Sequence, residues 1–278
     1  MTMSGPLLSL DISARYRNGA SILRNVSLEL KRGEVLGLVG QSGCGKSTLA
    51  LAILRLLHLK HGIAEGRLHF NGRDLAALSE RDMRALRGKE ISLVLQSPVS
   101  ALNPALRIGT QLDEAWHAHR RETSRNERID AIYKTLRHVS LPADAAFLRR
   151  YPSELSVGQA QRVLIGMAVL HRPLLLIADE PTSALDIITQ SEILQMFSRL
   201  SSEFQMSILF ISHDLLSVAT ISDRVAVMDH GEIVECQATA GLFTRPSHPY
   251  TRRLISALPV VPQFPADVNY QAEIRRLV

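Results

Sequence analysis

Residues 40–48 read Gly-Gln-Ser-Gly-Cys-Gly-Lys-Ser-Thr, a complete phosphate-binding loop, and this stretch decides the fold. Its glycines let successive backbone N–H groups turn toward a polyphosphate. Lys46 can reach the β- and γ-phosphates, and the hydroxyl of Ser47 is placed to bind Mg²⁺. The loop therefore predicts binding of a nucleoside triphosphate with Mg²⁺. The residues expected to take part are Gly40, Ser42, Gly43, Gly45, Lys46, Ser47 and Thr48.

The sequence on both sides of the loop supports this interpretation. Glu34–Val39 is an apolar run that predicts a buried strand, and Leu49–Leu57 predicts a helix. The loop then lies at a helix N-terminus, where the helix dipole favours an anion.

Further strands and helices extend this pattern through the chain. Leu7–Tyr16 and Ser21–Leu30 alternate apolar and polar residues, which predicts antiparallel strands joined by a turn at 17–20. Downstream, apolar strands alternate with helices, so we expect an α/β protein with a parallel sheet. The remaining predicted strands are 66–71, 91–96, 174–178, 208–212 and 224–228, and the helices between the last three are about 187–202 and 214–221. Residues 99–150 have a charged helical pattern, and the pattern after Glu235 is irregular and contains prolines.

The composition limits the class of protein. The chain has 278 residues, 46% of them hydrophobic, which is enough for a sizeable core. Two cysteines cannot build a disulfide scaffold and indicate a reducing compartment. We expect neither a signal peptide nor a membrane span, because no basic region precedes an apolar run and no run reaches about 18 apolar residues. The net charge of +5 is assigned to scattered surface arginines, because no block of five like charges occurs.

Two acidic residues follow the predicted strand 174–178. Asp179 lies at the strand tip, where a carboxylate facing the phosphate loop can hold Mg²⁺, usually through water. The adjacent Glu180 can polarise a water molecule for in-line attack on the γ-phosphate. The pair therefore predicts hydrolysis of the nucleotide as well as binding.

Residues 155–162, Leu-Ser-Val-Gly-Gln-Ala-Gln-Arg, predict a second anion site, because Ser156 is a good N-cap for a helix with exposed N–H groups. The segment resembles the Leu-Ser-Gly-Gly-Gln signature of ATP-binding-cassette (ABC) ATPases. A kinase or GTPase does not account for it. The resemblance implies that Ser156, Gly158 and Gln159 act on ATP bound by another subunit.

Other motifs occur in the order of the same family. Gln96 resembles the Q-loop glutamine, which contacts Mg²⁺, and His213 resembles the switch histidine, which senses the γ-phosphate. Ser183–Asp186 resembles the D-loop, and Tyr16 lies where the family places an aromatic residue on adenine. The resemblance implies that Asp179 holds Mg²⁺ through a water molecule and that Glu180 activates the attacking water.

The resemblance implies a P-loop NTPase fold with a RecA-like parallel sheet, an antiparallel β subdomain, an inserted helical subdomain and a short C-terminal extension. We expect the ABC ATPase domain over 1–236, with its helical subdomain at about 99–165, and the extension over 237–278.

Two positions carry a specific expectation. Val157 stands where the family usually has glycine, and it weakens the signature if that residue needs a positive φ. Cys44 lies within the phosphate loop, so we expect the helix N-terminus to lower the pKa of its thiol and make it reactive.

Two segments resemble the peptide and nickel importers of the family. These are Ile91–Pro104, around Gln96, and the tail Leu242–Pro259, which contains His-Pro-Tyr-Thr at 248–251. Only Cys236 lies near this tail, so no iron–sulfur cluster is expected. Di- or oligopeptides, nickel chelates and opines all remain open as substrates.

The resemblance also implies partners. One phosphate loop and one signature require a second ATPase subunit, preferably a different chain in a heterodimer, although a homodimer is possible. Permease subunits, contacted through about Val99–Ala115, and an extracytoplasmic solute-binding protein complete the expected importer, and no nucleic acid is expected. The chain would lie peripherally on the cytoplasmic face of the inner membrane. The alternatives are the ATPase of an exporter or a soluble ABC ATPase acting on ribosomes or DNA.

Overall fold

The computed structural model describes residues 5–17, 19–120 and 122–258. These residues form two compact units. The first contains the described residues up to Met83 and those from Ser207 onward, and the second is Arg84–Met206. Asn18 of the predicted turn and residues 259–278 of the predicted extension lie outside the described residues.

The secondary structure alternates strands and helices through most of the chain. The strands are β1 Leu8–Tyr16, β2 Ser21–Leu30, β3 Val35–Val39, β4 Gly62–Phe70, β5 Arg73–Asp74, β6 Ile91–Val94, β7 Leu175–Asp179, β8 Ser207–Ser212, β9 Arg224–Asp229 and β10 Glu232–Ala238. The helices are α1 Lys46–Ile53, α2 Glu80–Leu86, α3 Pro98–Ala101, α4 Ile108–His117, α5 Arg125–His138, α6 Ala145–Leu148, α7 Val157–Val169, α8 Ile187–Phe204, α9 Leu215–Ile221, α10 Thr239–Thr244 and α11 Pro249–Ser256.

The first unit contains an antiparallel sheet and a mainly parallel group of strands. The antiparallel sheet has the order β2-β1-β4-β5, and residues of β1 alternate between buried and more exposed positions. In the other group, β3 pairs in parallel with both β8 and β9, and β10 pairs antiparallel with β9. Every residue of β3 and β8 is buried, as expected for parallel strands covered on both faces.

The start of β3 is held by partly buried polar contacts within the first unit. The carboxylate of Asp223 accepts a hydrogen bond of 2.7 Å from the Val35 N–H. Glu34, only 7% exposed, pairs with the guanidinium of Arg224 at 3.0 Å. These contacts hold the strand that leads directly into the phosphate loop.

The second unit combines a parallel strand pair with helices. β6 and β7 are parallel over four residue pairs, beginning with Ile91 opposite Leu175. Helix α7 contacts α3, α4 and α5, and its buried face includes Val163 and Ile165. Helix α8 buries Phe197 completely. The core of this unit therefore includes α7, which begins within the predicted signature, and α8, which begins directly after the predicted D-loop.

Most sequence-predicted elements are present, with shifted ends. The helix after the phosphate loop is Lys46–Ile53, so it begins three residues and ends four residues before the prediction, and β4 begins four residues before its predicted start. The irregular pattern after Glu235 indicated no helix or strand, but within the described residues up to Ser256 β10 continues to Ala238 and is followed by α10 and α11.

A close approach at Gly37, in the middle of β3, generates a stability prediction. A Cβ atom at Gly37 would lie 2.1 Å from the Val218 side chain of α9 and 2.7 Å from the Ser222 hydroxyl. Gly37→Ala should therefore lower the free energy of unfolding by about 1–3 kcal/mol through overpacking. Urea denaturation of the full chain measures this.

Gly5→Ala is the matched control, because a Cβ atom there meets nothing within 4 Å. Equal stability of the two variants would contradict the close packing of β3 against α9.

Candidate functional site

The phosphate loop connects β3 to α1 in a conformation that requires glycine. Gly43 and Gly45 have φ values of +82° and +115°, in the left-handed region that side chains disfavour. A Cβ atom at Gly40 would lie 2.2 Å from the carbonyl oxygen of Met228 in β9, whereas one at Gly43 meets nothing within 4 Å. The loop is thus packed on the β9 side and open at Gly43.

The side chain of Lys46 lies inside this loop. It is only 5% exposed, and its ammonium group donates to the carbonyl oxygens of Gly40 (2.7 Å) and Gln41 (3.1 Å). The next residue, Ser47, is exposed, and Thr48 is partly exposed. A buried cation with backbone N–H groups at a helix N-terminus is the chemistry that binds a polyphosphate, so the predicted residues fit ATP.

Two further predicted residues belong to the same unit. Tyr16 is the last residue of β1 and is partly exposed. His213 directly follows β8, is exposed, and precedes Asp214, whose carboxylate caps α9. The first unit therefore carries Tyr16, the whole phosphate loop and His213.

The second unit brings Gln96 and Glu180 together. Asp179 ends β7, and the amide Nε2 of Gln96 donates to a carboxylate oxygen of Glu180 at 3.2 Å. Glu180 has φ +48°, a left-handed conformation that costs a non-glycine residue of order 1–3 kcal/mol. A turn holds this conformation, because the Ser183 N–H and hydroxyl both donate to the Glu180 carbonyl oxygen. No pattern in the sequence indicates this backbone strain.

The signature segment forms the capped start of α7, as predicted. The Ser156 hydroxyl accepts from the Gln159 N–H, and the Gln159 side chain accepts from the Ser156 N–H, both at 3.2 Å. This reciprocal pair is a capping box. Val157 is the first helical residue, 43% exposed, and its φ is not positive, so the strain considered for this position does not arise.

Gly158 allows the N-termini of α7 and α8 to approach. A Cβ atom at Gly158 would lie 2.8 Å from the Thr189 methyl group. Thr189 itself belongs to the cap of α8, where its N–H and hydroxyl donate to Asp186 and lower the pKa of that carboxyl. The second unit thus places the signature next to the end of the predicted D-loop.

The expectation for Cys44 is wrong. The thiol is only 9% exposed and packs against the phosphate-loop backbone, since a Cβ atom at Gly40 would lie 2.7 Å from its sulfur. Burial raises the pKa of Cys44 because it disfavours the thiolate, and this outweighs the nearby Lys46 charge, which lowers it. The side chain is part of the packing beneath the loop.

Comparison with known proteins identifies the family. The family profile described as "ABC transporter" matches residues 23–183. The chain belongs to this family. The glutathione import ATP-binding protein GsiA of Salmonella choleraesuis is 44% identical over 243 residues, 85% of this chain and 39% of GsiA. The dipeptide transport ATP-binding protein DppD of Bacillus subtilis is 39% identical over 245 residues, 88% of this chain and 73% of DppD. The chain thus spans about two fifths of the length of GsiA.

Solved structures of ABC proteins confirm the fold class. The structure of cbiO1 from Clostridium perfringens, part of the ABC transporter complex cbiONQ, matches with a TM-score of 0.75 at 25% identity, covering 92% of this chain and 97% of that one. The ATP-binding cassette MJ0796, bound to ADP and Pi, matches with a TM-score of 0.72 at 27% identity, covering 84% and 98%. The P-loop NTPase fold is therefore confirmed. Within the described part of this ABC chain, no helix has the length and apolarity needed to cross a membrane.

The burial of Cys44 predicts slow reaction with thiol reagents. In a Cys236→Ser variant, which leaves Cys44 as the single cysteine, labelling at pH 8 should be about tenfold or more slower in the native chain than in denaturant. Stopped-flow reaction with an aromatic disulfide measures both rates.

The denatured chain supplies the control rate, because its Cys44 thiol is fully accessible to the reagent. A native rate equal to it would contradict the packing of Cys44 under the loop.

Proposed function

We propose that this chain is the ATP-hydrolysing subunit of an ABC importer, which couples ATP binding and hydrolysis to uptake of a small solute. The observation that carries the hydrolytic role is the 3.2 Å contact between Gln96 and Glu180, which orients the carboxylate proposed to activate water. The import role is supported by the relatives GsiA and DppD, whose names describe glutathione import and dipeptide transport.

The residue roles follow from chemistry and the family resemblance. Lys46 and the N–H groups of the phosphate loop neutralise and hold the phosphates, and Glu180 takes a proton from the attacking water. His213 contacts the γ-phosphate, and Tyr16 stacks on adenine. The remaining phosphate ligands are Gly40, Ser42, Gly43, Gly45 and Thr48 in this subunit, and Ser156, Gly158 and Gln159 acting on ATP of the partner subunit.

Mg²⁺ fits the proposed donor set, which consists of oxygens. The Ser47 hydroxyl and the Gln96 amide oxygen would contact the ion, and Asp179 would hold a water molecule bound to the ion. Gln96 donates to Glu180 through Nε2, so its Oε1 is the atom suited to a cation. When bound, the ion neutralises charge on the β- and γ-phosphates.

A second ATPase subunit completes each ATP site in this proposal, preferably a different chain, with a homodimer as the alternative. Ser156 presents the N-terminus of α7 to the partner's nucleotide, and its capping box keeps that helix end ordered. ATP then holds the two subunits together, and hydrolysis releases them, which moves the permease between its two access states.

An apolar groove in the second unit supports a permease contact. The groove has a volume of about 280 Å³ and is lined by residues including Leu93, Leu95, Ala101, Leu164 and Met167. Leu95, which precedes Gln96, is one of the exposed large hydrophobic side chains, with 45% of its surface accessible. Exposed apolar surface of this kind is typical of a protein contact. The predicted contact segment, about Val99–Ala115, includes two of the residues that line this groove, Ala101 and Ala115. We place the subunit peripherally on the cytoplasmic face of the inner membrane, connected through the permease to an extracytoplasmic solute-binding protein.

Peptides are the proposed substrate class, because GsiA and DppD carry names that refer to glutathione and dipeptides. Nickel chelates and opines are alternatives within the same importer group. Neither relative's name refers to export, ribosomes or DNA, so those alternative functions are not favoured. We retain 1–236 as the proposed ATPase domain and 237–278 as the proposed extension.

Glu180→Gln should abolish most ATP hydrolysis while ATP binding is retained. Glutamine keeps the shape of the side chain but cannot accept a proton from water, so the rate should fall by about 10²-fold or more. The measurement is the ATPase rate of the chain assembled with its partner subunits, with ATP affinity determined in parallel.

Glu127→Gln is the control, since it makes the same chemical change on the exposed surface of α5. Near-normal hydrolysis by the Glu180→Gln variant would remove Glu180 from its assigned role.

Lys46→Ala should weaken ATP binding and stop hydrolysis. A charge-assisted contact to phosphate contributes roughly 1.5–3 kcal/mol, so the affinity should fall by about 10- to 100-fold. Titration of the full-length chain with Mg·ATP measures this, and Lys134→Ala on the surface of α5 provides the control. An unchanged affinity would show that Lys46 does not bind phosphate.

A further inference from the structure

The C-terminal part of the first unit reaches the phosphate loop through one tyrosine. The hydroxyl oxygen of Tyr250 accepts a hydrogen bond of 3.0 Å from the backbone N–H of Gln41. These residues are 209 positions apart in the sequence. Tyr250 is only 4% exposed, and burial raises the pKa of its phenol, so the hydroxyl stays neutral at physiological pH.

The segment that carries Tyr250 is itself firmly held. We call Ser247–Tyr250 the tether. Its backbone is anchored by Glu235, whose carboxylate accepts from the Ser247 N–H (2.7 Å), the Ser247 hydroxyl (2.8 Å) and the His248 N–H (3.0 Å). Glu235 is 7% exposed. Burial alone would raise its pKa, but the hydrogen bonds from Ser247 and His248 help to lower the pKa to about 2.

The local sequence of the tether explains how the Tyr250 side chain is placed. His248 is the N-cap of α11, and its Nδ1 accepts from the Tyr250 N–H. Pro249 occupies the first helical position, where its fixed φ suits a helix and its missing N–H costs nothing. Tyr250 therefore leaves the first turn of a capped helix, with little freedom to move away from Gln41.

The hydrogen bond between Tyr250 and Gln41 lies next to the contacts that Lys46 makes in the phosphate loop. The carbonyl oxygens of Gly40 and Gln41 are bound by Lys46, and the Gln41 carbonyl also accepts from the Cys44 N–H. Tyr250 fixes the same peptide region from the N–H side. The first turn of the phosphate loop is thus restrained by a residue inside the motif and by a residue far outside it.

We propose that Tyr250 is a positioning residue of the ATP site, which the Glu235-anchored tether uses to hold the first turn of the phosphate loop in its phosphate-binding conformation. The proposal rests on the proposed function, because it concerns the same nucleotide. It assigns the predicted C-terminal extension a direct part in ATP binding.

Tyr250→Phe tests the bond, because it removes the hydroxyl and keeps the buried ring. Loss of one hydrogen bond to a loop that must be ordered for binding should weaken Mg·ATP affinity of the full-length chain by about three- to tenfold. Tyr133→Phe in α5 is the matched control and should leave the affinity unchanged. The apo melting temperatures of both variants should stay close to that of the wild type.

Glu235→Gln tests whether the tether acts through Tyr250. It should weaken ATP binding in the same direction, and the double variant with Tyr250→Phe should bind no more weakly than the weaker of the two single variants. In the assembled transporter, Tyr250→Phe should raise KM for ATP while kcat at saturating ATP is retained. A general loss of structure would instead lower the active fraction and thus kcat.

The outcomes separate this proposal from the proposed function. Lys46→Ala serves as the reference, and an unchanged affinity in that variant would overturn the proposed placement of ATP on the phosphate loop. If Lys46→Ala weakens binding but Tyr250→Phe stays within twofold of wild type, Tyr250 merely fills space and the proposal is wrong. Additive losses in the double variant would overturn the link from Glu235 to Tyr250.

Discussion

The contact between the Gly40 backbone and strand β9 is the constraint on which the nucleotide site depends. No Cβ atom fits between Gly40 and the Met228 carbonyl oxygen, and the same strand pairs in parallel with β3, which carries the chain into the loop. One ladder of hydrogen bonds therefore sets both where the loop begins and the surface on which it rests. Helix α1, whose first residue is Lys46, follows the loop directly, so these contacts also set where the helix begins.

The second unit orders its functional groups by a different means, through helix caps and one strained residue. Ser156 and Asp186 cap the helices α7 and α8, and Gly158 permits the close approach of these two helix ends. Glu180 is held in a left-handed conformation, with its carboxylate against Gln96. Such strain at a residue proposed to activate water agrees with the general tendency of strained backbone to occur at functional sites. The proposed site residues of this unit are thus placed by helix caps, one turn and the contact between Gln96 and Glu180.

Local sequence patterns were sufficient for most of the fold, whereas the proposed site residues were chosen from motifs that resemble those of a known family. The alternation in β1 and β2 and the apolar run of β3 gave their strands correctly, because burial on one or two faces leaves a direct pattern in the sequence. Contacts that form only in the folded loop, or between distant residues, were not predictable. The burial of Cys44 depends on its packing against Gly40 in the folded loop, and the Tyr250–Gln41 bond joins opposite ends of the chain. The strain at Glu180 likewise left no periodic signal, whereas Pro249 at the first position of α11 is a helix-start signal that the sequence interpretation did not use.

The internal hydrogen bonds of Lys46 have a consequence for the geometry of the loop. The side chain is buried, and its ammonium group donates to the carbonyl oxygens of Gly40 and Gln41, the two residues that open the loop. The lysine that supplies the charge of the motif therefore also ties the two ends of the loop together. Deleting its side chain removes the charge and this internal brace at the same time.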